Sequence, residues 1–119
     1  MLVSGPAGSN TLGLLESSTD GGTQGTITIN YTDGSSSTAT ITSSDWAGGP
    51  GATETAAATL PYRNSTSGSS QQLTVYVYAT TVAVDRTKTV QSVTFPNVSN
   101  TTSGGATAMH IWAVSLGTT

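Results

Sequence analysis

The sequence predicts an all-β protein, built as an antiparallel β-sandwich, and three observations lead to this prediction. Apolar residues stand at every second position of residues 25–42, which places Ile27, Ile29 and Tyr31 on one face of a strand. The Asp33-Gly34 step in the middle of this segment is typical of a tight hairpin turn. Short alternating runs between Gly-, Ser- and Thr-rich turns continue to the end of the chain, and this pattern indicates about seven strands in a sandwich or jelly roll.

Each predicted strand is an alternating run that ends at a turn signal. A first strand at residues 11–16 directs Leu12 and Leu14 to one side, and it precedes an Asp-Gly-Gly turn cluster. The hairpin then leads into a long loop at residues 44–51, whose glycines and proline exclude a helix or a central strand. The later strands are predicted at residues 56–63, 72–84, 88–95 and 108–116, with turns at 64–70, 85–87 and 97–107.

Three of these later segments carry more specific expectations. Pro61 confines the strand at 56–63 to a sheet edge or a bulge, although the alanines of 54–60 would also permit a single helical turn. In the strand at 72–84, the tyrosines at 76 and 78 share one face. In the last strand, simple alternation places His110, Trp112 and Val114 on one face and Met109, Ile111 and Ala113 on the other.

The composition bounds the protein to a single domain, residues 1–119, with few kinds of partner. The 119 residues are enough for one core. Only 8% of the residues are charged, three of them are Lys or Arg, and the net charge is -3, so nucleic acid is not an expected partner. The chain has no cysteine, which excludes disulfides, thiolate metal sites and a cysteine nucleophile.

The same composition favours a secreted, extracellular protein. Ser, Thr and Gly occupy the share of the sequence that Lys and Glu take in most intracellular proteins. No apolar run is long enough to span a bilayer, so a membrane is not an expected partner. No signal-peptide pattern is present, and we expect an export signal to lie outside a sequence that starts at Met1-Leu2-Val3.

A series of short motifs resembles a known family. The motifs lie in the family's order and at comparable spacing, and the resemblance extends over nearly the whole chain. The motifs are residues 26–34, 44–46, 60–64, 84–90, 93–98 and 109–113. The chain resembles the accessory β-sandwich domain, similar to carbohydrate-binding modules and galactose-binding domains, of many secreted bacterial glycoside hydrolases. This resemblance implies a non-catalytic module beside a catalytic domain in a longer protein.

The chain departs from that family in two places. The turn at 85–87 lacks the proline that is common there, which changes the rigidity of the turn more than the fold. A further segment usually precedes the position that matches Leu2-Val3. We therefore expect either that another chain or copy completes the sheet, or that a smaller sandwich has an exposed edge.

The candidate ligand-binding residues are Trp46, Asp45, Tyr62, Arg63 and Asn64. Sugar rings present apolar C–H faces, so surfaces that bind them combine exposed aromatic rings with hydrogen-bonding side chains. Trp46 in the Gly/Pro loop is the first choice, and Tyr62 with its two polar neighbours is the second. The alternative is structural: Trp46 closes the end of the core, and Tyr62 packs against Arg63.

Other chemistry finds less support in the sequence. His110 is the only histidine and has no identifiable orienting acid, and a structural or surface role is the more frequent one. The six acids lie mostly at turn positions, which does not indicate a paired-carboxylate hydrolase. No cofactor is expected, although a structural calcium ion on turn aspartates remains an option: Asp20, Asp33, Asp45 and Asp85. For Tyr76, Tyr78 and Trp112, packing in the core or on a sheet face is expected.

The sequence thus predicts a non-catalytic extracellular module that binds or positions polysaccharide for a linked hydrolase. The alternative is a structural surface protein that assembles into homo-oligomers or filaments through exposed strand edges. An intrinsic hydrolase that uses His110 ranks third.

Overall fold

The computed structural model describes residues 1–98 and 107–119, and this part of the chain is all-β without a helix. Most of the predicted loop at 97–107 lies outside the described residues. These described ranges contain nine strands: β1 (Thr11–Thr19), β2 (Thr23–Tyr31), β3 (Ser36–Ser43), β4 (Thr55–Leu60), β5 (Arg63–Asn64), β6 (Ser70–Gln71), β7 (Val75–Ala83), β8 (Val90–Thr94) and β9 (Ala108–Gly117). The expected count of about seven is too low because two short strands, β5 and β6, lie at the start and at the end of the predicted turn at 64–70.

The described strands form three antiparallel sheets. The largest has the order β4-β7-β1-β9, the second has the order β3-β2-β8, and β5 pairs with β6 alone. Residues 1–3 lie along the outer side of β8, where Val3 N–H donates to Gln91 O at 3.2 Å and Val93 N–H donates to Met1 O at 2.9 Å. In this structure the N-terminal residues therefore extend the three-stranded sheet beyond β8.

The two larger sheets enclose one hydrophobic core in a β-sandwich-like arrangement. The alternation of β1 and β2 directs every second side chain inward, as the sequence predicts. The core residues come from both sheets and from the end of β7: Leu12, Leu14, Ile27, Ile29, Tyr31, Ile41, Val82, Val84, Val90 and Val93. The prediction of an all-β antiparallel fold is confirmed.

The β2–β3 hairpin is confirmed, but its turn differs in detail from the expected one. Only Gly34 adopts a positive φ, of 85°, and Gly34 N–H donates to Tyr31 O at 3.1 Å. Asp33 stabilises the turn through its side chain, which accepts a hydrogen bond from Ser35 N–H at 2.9 Å. The loop therefore has three residues and ends on a left-handed glycine, a common alternative to the two-residue Asp-Gly turn.

The predicted faces of the last strand are wrong because β9 contains a bulge. Leu15 of β1 pairs with Ala113, but the next residue, Glu16, pairs with Ile111, so Trp112 is the extra residue. Val114 consequently packs against the core together with Met109. A single inserted residue reverses the alternation, and no pattern in the sequence marks its position.

Gly25 of β2 offers a test of the packing between the hairpin and the segment after β8. A Cβ added at Gly25 would lie 2.5 Å from Cγ and 2.6 Å from Cβ of Pro96. We expect Gly25→Ala to lower the unfolding free energy by about 1–2 kcal/mol through this overpacking, as measured by urea denaturation. Gly117→Ala is the matched control, since nothing lies within 4 Å of its added Cβ. Equal stability of the two variants would contradict the described packing.

Candidate functional site

The loop that carries Trp46 is held between two strands. Trp46 N–H donates to Ser18 O at the end of β1 at 2.7 Å, and Tyr76 N–H of β7 donates to Trp46 O at 2.8 Å. Ser18 and Asp45 also form an isolated parallel bridge. The backbone of Trp46 is thus fixed on both sides, which pre-organises its side chain.

Asp45 holds this loop in place. One carboxylate oxygen accepts a hydrogen bond from Gly21 N–H at 2.7 Å, and the other accepts one from Ala47 N–H at 2.8 Å. The buried Tyr78 hydroxyl donates to the Asp45 carbonyl at 2.7 Å. Because both carboxylate oxygens bind backbone amides, the structure gives Asp45 a positioning role beside Trp46 rather than a place on the pocket wall.

Three of the five predicted residues line one pocket. Trp46, Arg63 and Asn64 surround a pocket of about 320 Å³, and the polar side chains that complete its wall are Ser65, Thr66 and Gln71. The Arg63 guanidinium carbon lies 5.5 Å from the centre of the Trp46 ring, a cation–π distance. Arg63 Nε also donates to Gln71 Oε1 at 2.7 Å across the β5–β6 pair. The pocket therefore combines an aromatic ring with amide, hydroxyl and guanidinium groups.

Tyr62 lies beside this pocket but is not one of its lining residues. Its side chain is 48% exposed, and its neighbour Arg63 lies over Trp46. Trp46 itself is half-buried and is not part of the hydrophobic core. The structure thus pairs Arg63 with Trp46, a contact that neither reading of the sequence included.

A buried pair of carboxyl groups, Glu16 and Glu54, lies beneath the same loop. Glu16 is 1% exposed and Glu54 is 7% exposed. Ser43 Oγ donates to one oxygen of Glu16, whereas the other oxygen has no hydrogen-bond donor among the described residues. Glu54 accepts hydrogen bonds from Ser44 N–H at 2.7 Å and from Gly51 N–H at 2.6 Å. These contacts connect the pair to both ends of the loop around Trp46.

The environments of the two carboxyls move their pKa values in opposite directions. Burial raises the pKa of Glu16 to about 7, and the neighbouring Glu54 adds to this effect against the hydrogen bond from Ser43. Burial also acts to raise the pKa of Glu54, but the hydrogen bonds from Ser44 and Gly51 outweigh it, and its pKa is lowered. Near neutral pH the two groups can therefore share one proton, with Glu16 as its holder.

The sequence contains a signal for one member of this pair. Glu16 has the same parity as Leu12 and Leu14 in β1, so alternation directs it inward with them. Nothing in the sequence pairs it with Glu54, which follows a loop far along the chain. Their burial argues against the open carboxylate pair that a glycosidase places across its cleft.

The most exposed tryptophan lies elsewhere. Trp112 is 61% exposed, and its indole N–H donates to Ser17 Oγ at 3.0 Å. The His110 ring stacks beside it with a centroid separation of 5.9 Å, and His110 Nε2 lies 3.3 Å from Thr19 Oγ1. Trp112 therefore packs on the face of the sheet rather than in the core, whereas Tyr78 is buried, and each takes one of the two placements that the sequence predicts. The bulge that exposes Trp112 has no signature in the sequence.

The turn aspartates serve local contacts. Asp33 lies 3.6 Å from Lys88 Nζ, and Asp85 accepts a hydrogen bond from Thr87 N–H at 2.9 Å. No group of three or more His, Cys, Asp or Glu residues that could hold a metal ion occurs in the part of the chain that the structure describes. Within that part, no helix is long and apolar enough to cross a membrane.

The contact between Tyr78 and Asp45 provides a direct test of how the loop is held. We expect Tyr78→Phe to lower the unfolding free energy by about 1 kcal/mol, because the Asp45 carbonyl loses one of its two donors and keeps only Gly48 N–H. Thermal and urea denaturation measure the change in unfolding free energy. The emission of Trp46 should also differ from that of the unmodified chain. Tyr62→Phe is the control, since its exposed ring leaves the loop untouched. Unchanged stability in Tyr78→Phe would show that this hydroxyl does not hold the loop.

In comparisons with known proteins, no family model matches this chain, and no curated protein matches it either.

Proposed function

We propose that this protein is a non-catalytic accessory module that binds polysaccharide through the pocket at Trp46. The observation that carries the proposal is the grouping of Trp46, Arg63, Asn64 and Gln71 around one open pocket. An indole ring offers a rigid apolar face to the C–H side of a sugar ring. The amide and guanidinium groups beside it match sugar hydroxyls, which both donate and accept hydrogen bonds.

The arrangement of the pocket favours binding over turnover. Its lining residues include no carboxylate, histidine or cysteine that could act as an acid, a base or a nucleophile. The paired carboxyls lie buried below the loop, and His110 contacts Trp112 and Thr19. The described groups therefore support recognition as the role of this site.

The resemblance to accessory domains of secreted hydrolases supplies the wider setting of the proposal. It supports a secreted, extracellular protein in which a linked catalytic domain acts on the bound polysaccharide. It also favours jelly-roll connectivity, with which the two-sheet, antiparallel arrangement is compatible.

A calorimetric screen against neutral plant and microbial glycans tests the proposal. At least one glycan should bind with a measurable heat, and soluble oligosaccharides of the same linkage should compete. A screen in which no glycan binds the folded chain would overturn the proposal.

A second candidate function, self-assembly through a strand edge, has one specific observation in its favour. All six residues of β4 are exposed, β4 forms one edge of the four-stranded sheet, and its sequence carries no charge. Uncharged exposed edges are templates for pairing with another chain. Light scattering of the purified chain over a wide concentration range tests this candidate: growing particle mass would support it, and a strict monomer would exclude it.

A further inference from the structure

We propose that a proton shared by Glu16 and Glu54 controls the pocket at Trp46, so that loss of this proton loosens the loop and weakens ligand binding. The effect on the loop follows from the described contacts and charges and does not depend on the proposed function. The effect on binding rests on the proposed function.

The burial of the pair favours a retained proton. Glu16 projects into the protein from β1, where its register neighbours are Tyr78 of β7 and Ile111 of β9. Its one oxygen without a donor is buried, and a buried acceptor without a partner is costly. A proton shared with Glu54 removes this cost and avoids two like charges in one buried site.

Glu54 transmits the state of the pair to the loop. It accepts hydrogen bonds from the amides of Ser44 and Gly51, which flank Trp46. The contact at Gly51 is close, since an added Cβ would lie 3.0 Å from Oε2 of Glu54. A displacement of this carboxylate therefore affects both ends of the segment at 44–51.

No described cation is placed to compensate a second negative charge. Tyr78 of β7 lies near Glu54 and donates its hydroxyl to the carbonyl of Asp45, and neither Tyr78 nor Asp45 is cationic. The cationic side chains of the chain have other described contacts or lie in an exposed turn: Arg63 on Trp46, Lys88 at Asp33, and Arg86. His110 is exposed and stacks on Trp112.

The consequence follows from electrostatics. With one proton on the pair, Glu54 keeps its two amide contacts, and Trp46 stays in place. When Glu16 also ionises, repulsion pushes Glu54 away from Ser44 and Gly51. The raised pKa of Glu16, about 7, places this change near neutral pH.

A fluorescence titration tests the device without any ligand. In a Trp112→Phe background, Trp46 is the only tryptophan, and its emission should change sigmoidally between pH 5 and 9 with a midpoint near neutral. Adding Glu16→Gln should abolish the change, because a neutral amide of the same shape replaces the titrating group. His110 is present in both chains, so it serves as an internal control. A transition that persists in the Glu16→Gln chain would overturn the proposal. A flat profile in both chains would also overturn it.

Amide shifts in the unmodified chain give a second measurement that does not depend on a variant folding. The ¹⁵N–¹H signals of Ser44 and Gly51 should titrate together near neutral pH. Signals of these two amides that stay constant from pH 5 to 9 would contradict the device.

Binding measurements separate the two proposals. For a glycan found in the screen, the affinity should be about tenfold weaker at pH 8.5 than at pH 6, within the usual range for coupled sites, and Glu16→Gln should remove the difference. An equal affinity at both pH values would overturn the link to binding. If the fluorescence transition appears but no glycan binds at either pH, the proposed function fails and the proton-linked loop stands.

Discussion

Replacing Glu16 with glutamine is expected to remove a pH-dependent loss of about 3 kcal/mol in the unfolding free energy. The pKa of Glu16 is raised from 4.5 to about 7 on folding, so the folded state holds this proton more tightly than the unfolded chain does. The resulting contribution to stability is complete below pH 4.5 and is lost as the pH rises to about 7. The unmodified chain should therefore become less stable between these limits.

Urea denaturation at pH 5, 6, 7 and 8 measures this effect. The urea midpoint of the unmodified chain should fall as the pH rises, with an unchanged m value. The midpoint of Glu16→Gln should stay nearly constant over the same pH range. This pH range avoids the acidic region, in which three other groups also affect stability. The pKa values of Glu54, Asp33 and Asp85 are lowered, so their contributions to the unfolding free energy are lost as the pH falls. Asp20→Asn, which neutralises an exposed acid, is the control. Its midpoint should keep the pH dependence of the unmodified chain. A Glu16→Gln chain with the same pH dependence would show that this carboxyl is not the source.

Trp46→Ala is expected to weaken glycan binding at least about tenfold, or 1.4 kcal/mol. The substitution removes the ring that lines the pocket and leaves Arg63 without its cation–π partner. The backbone contacts of residue 46 with Ser18 and Tyr76 do not depend on the side chain, so the fold should persist. Calorimetry with the glycan identified in the screen measures the loss.

Trp112→Ala is the matched control for this loss. It removes the more exposed of the two tryptophans, which is held by Ser17 and His110 and is not part of the pocket wall. Its affinity should stay within about twofold of the unmodified chain, because a change far below 1.4 kcal/mol is expected away from the site. A loss in Trp112→Ala with none in Trp46→Ala would move the binding site to the outer face of β9.

Much of the fold could be predicted from the sequence because the strands that bury one face alternate cleanly. Ile27, Ile29 and Tyr31 all lie in the core, as their spacing indicates. The errors come from backbone irregularities. The bulge at Trp112 shifts the faces of β9, and the three-residue loop before β3 uses a positive φ only at Gly34. Both depend on register between strands, which a single sequence does not encode locally.

Only part of the candidate site could be predicted, because its contacts also depend on how distant segments pack together. Trp46 and Arg63 were identified by residue type and loop context, but their contact arises only when β5 pairs with β6 beside the loop. The sequence predicts Asp45 on the binding surface, whereas its carboxylate accepts hydrogen bonds from backbone amides. The pairing of Glu16 with Glu54 depends on tertiary packing between β1 and a distant loop, and only the inward position of Glu16 had a sequence signal.

The most direct test of polysaccharide recognition is an NMR titration of the ¹⁵N-labelled chain with the oligosaccharide that binds best. The largest shifts are expected at the Trp46 indole N–H, the Arg63 Nε–H and the side-chain amides of Asn64 and Gln71, while the Trp112 indole signal stays in place. Shifts centred on Trp112, or a spectrum that no glycan changes, would contradict this expectation.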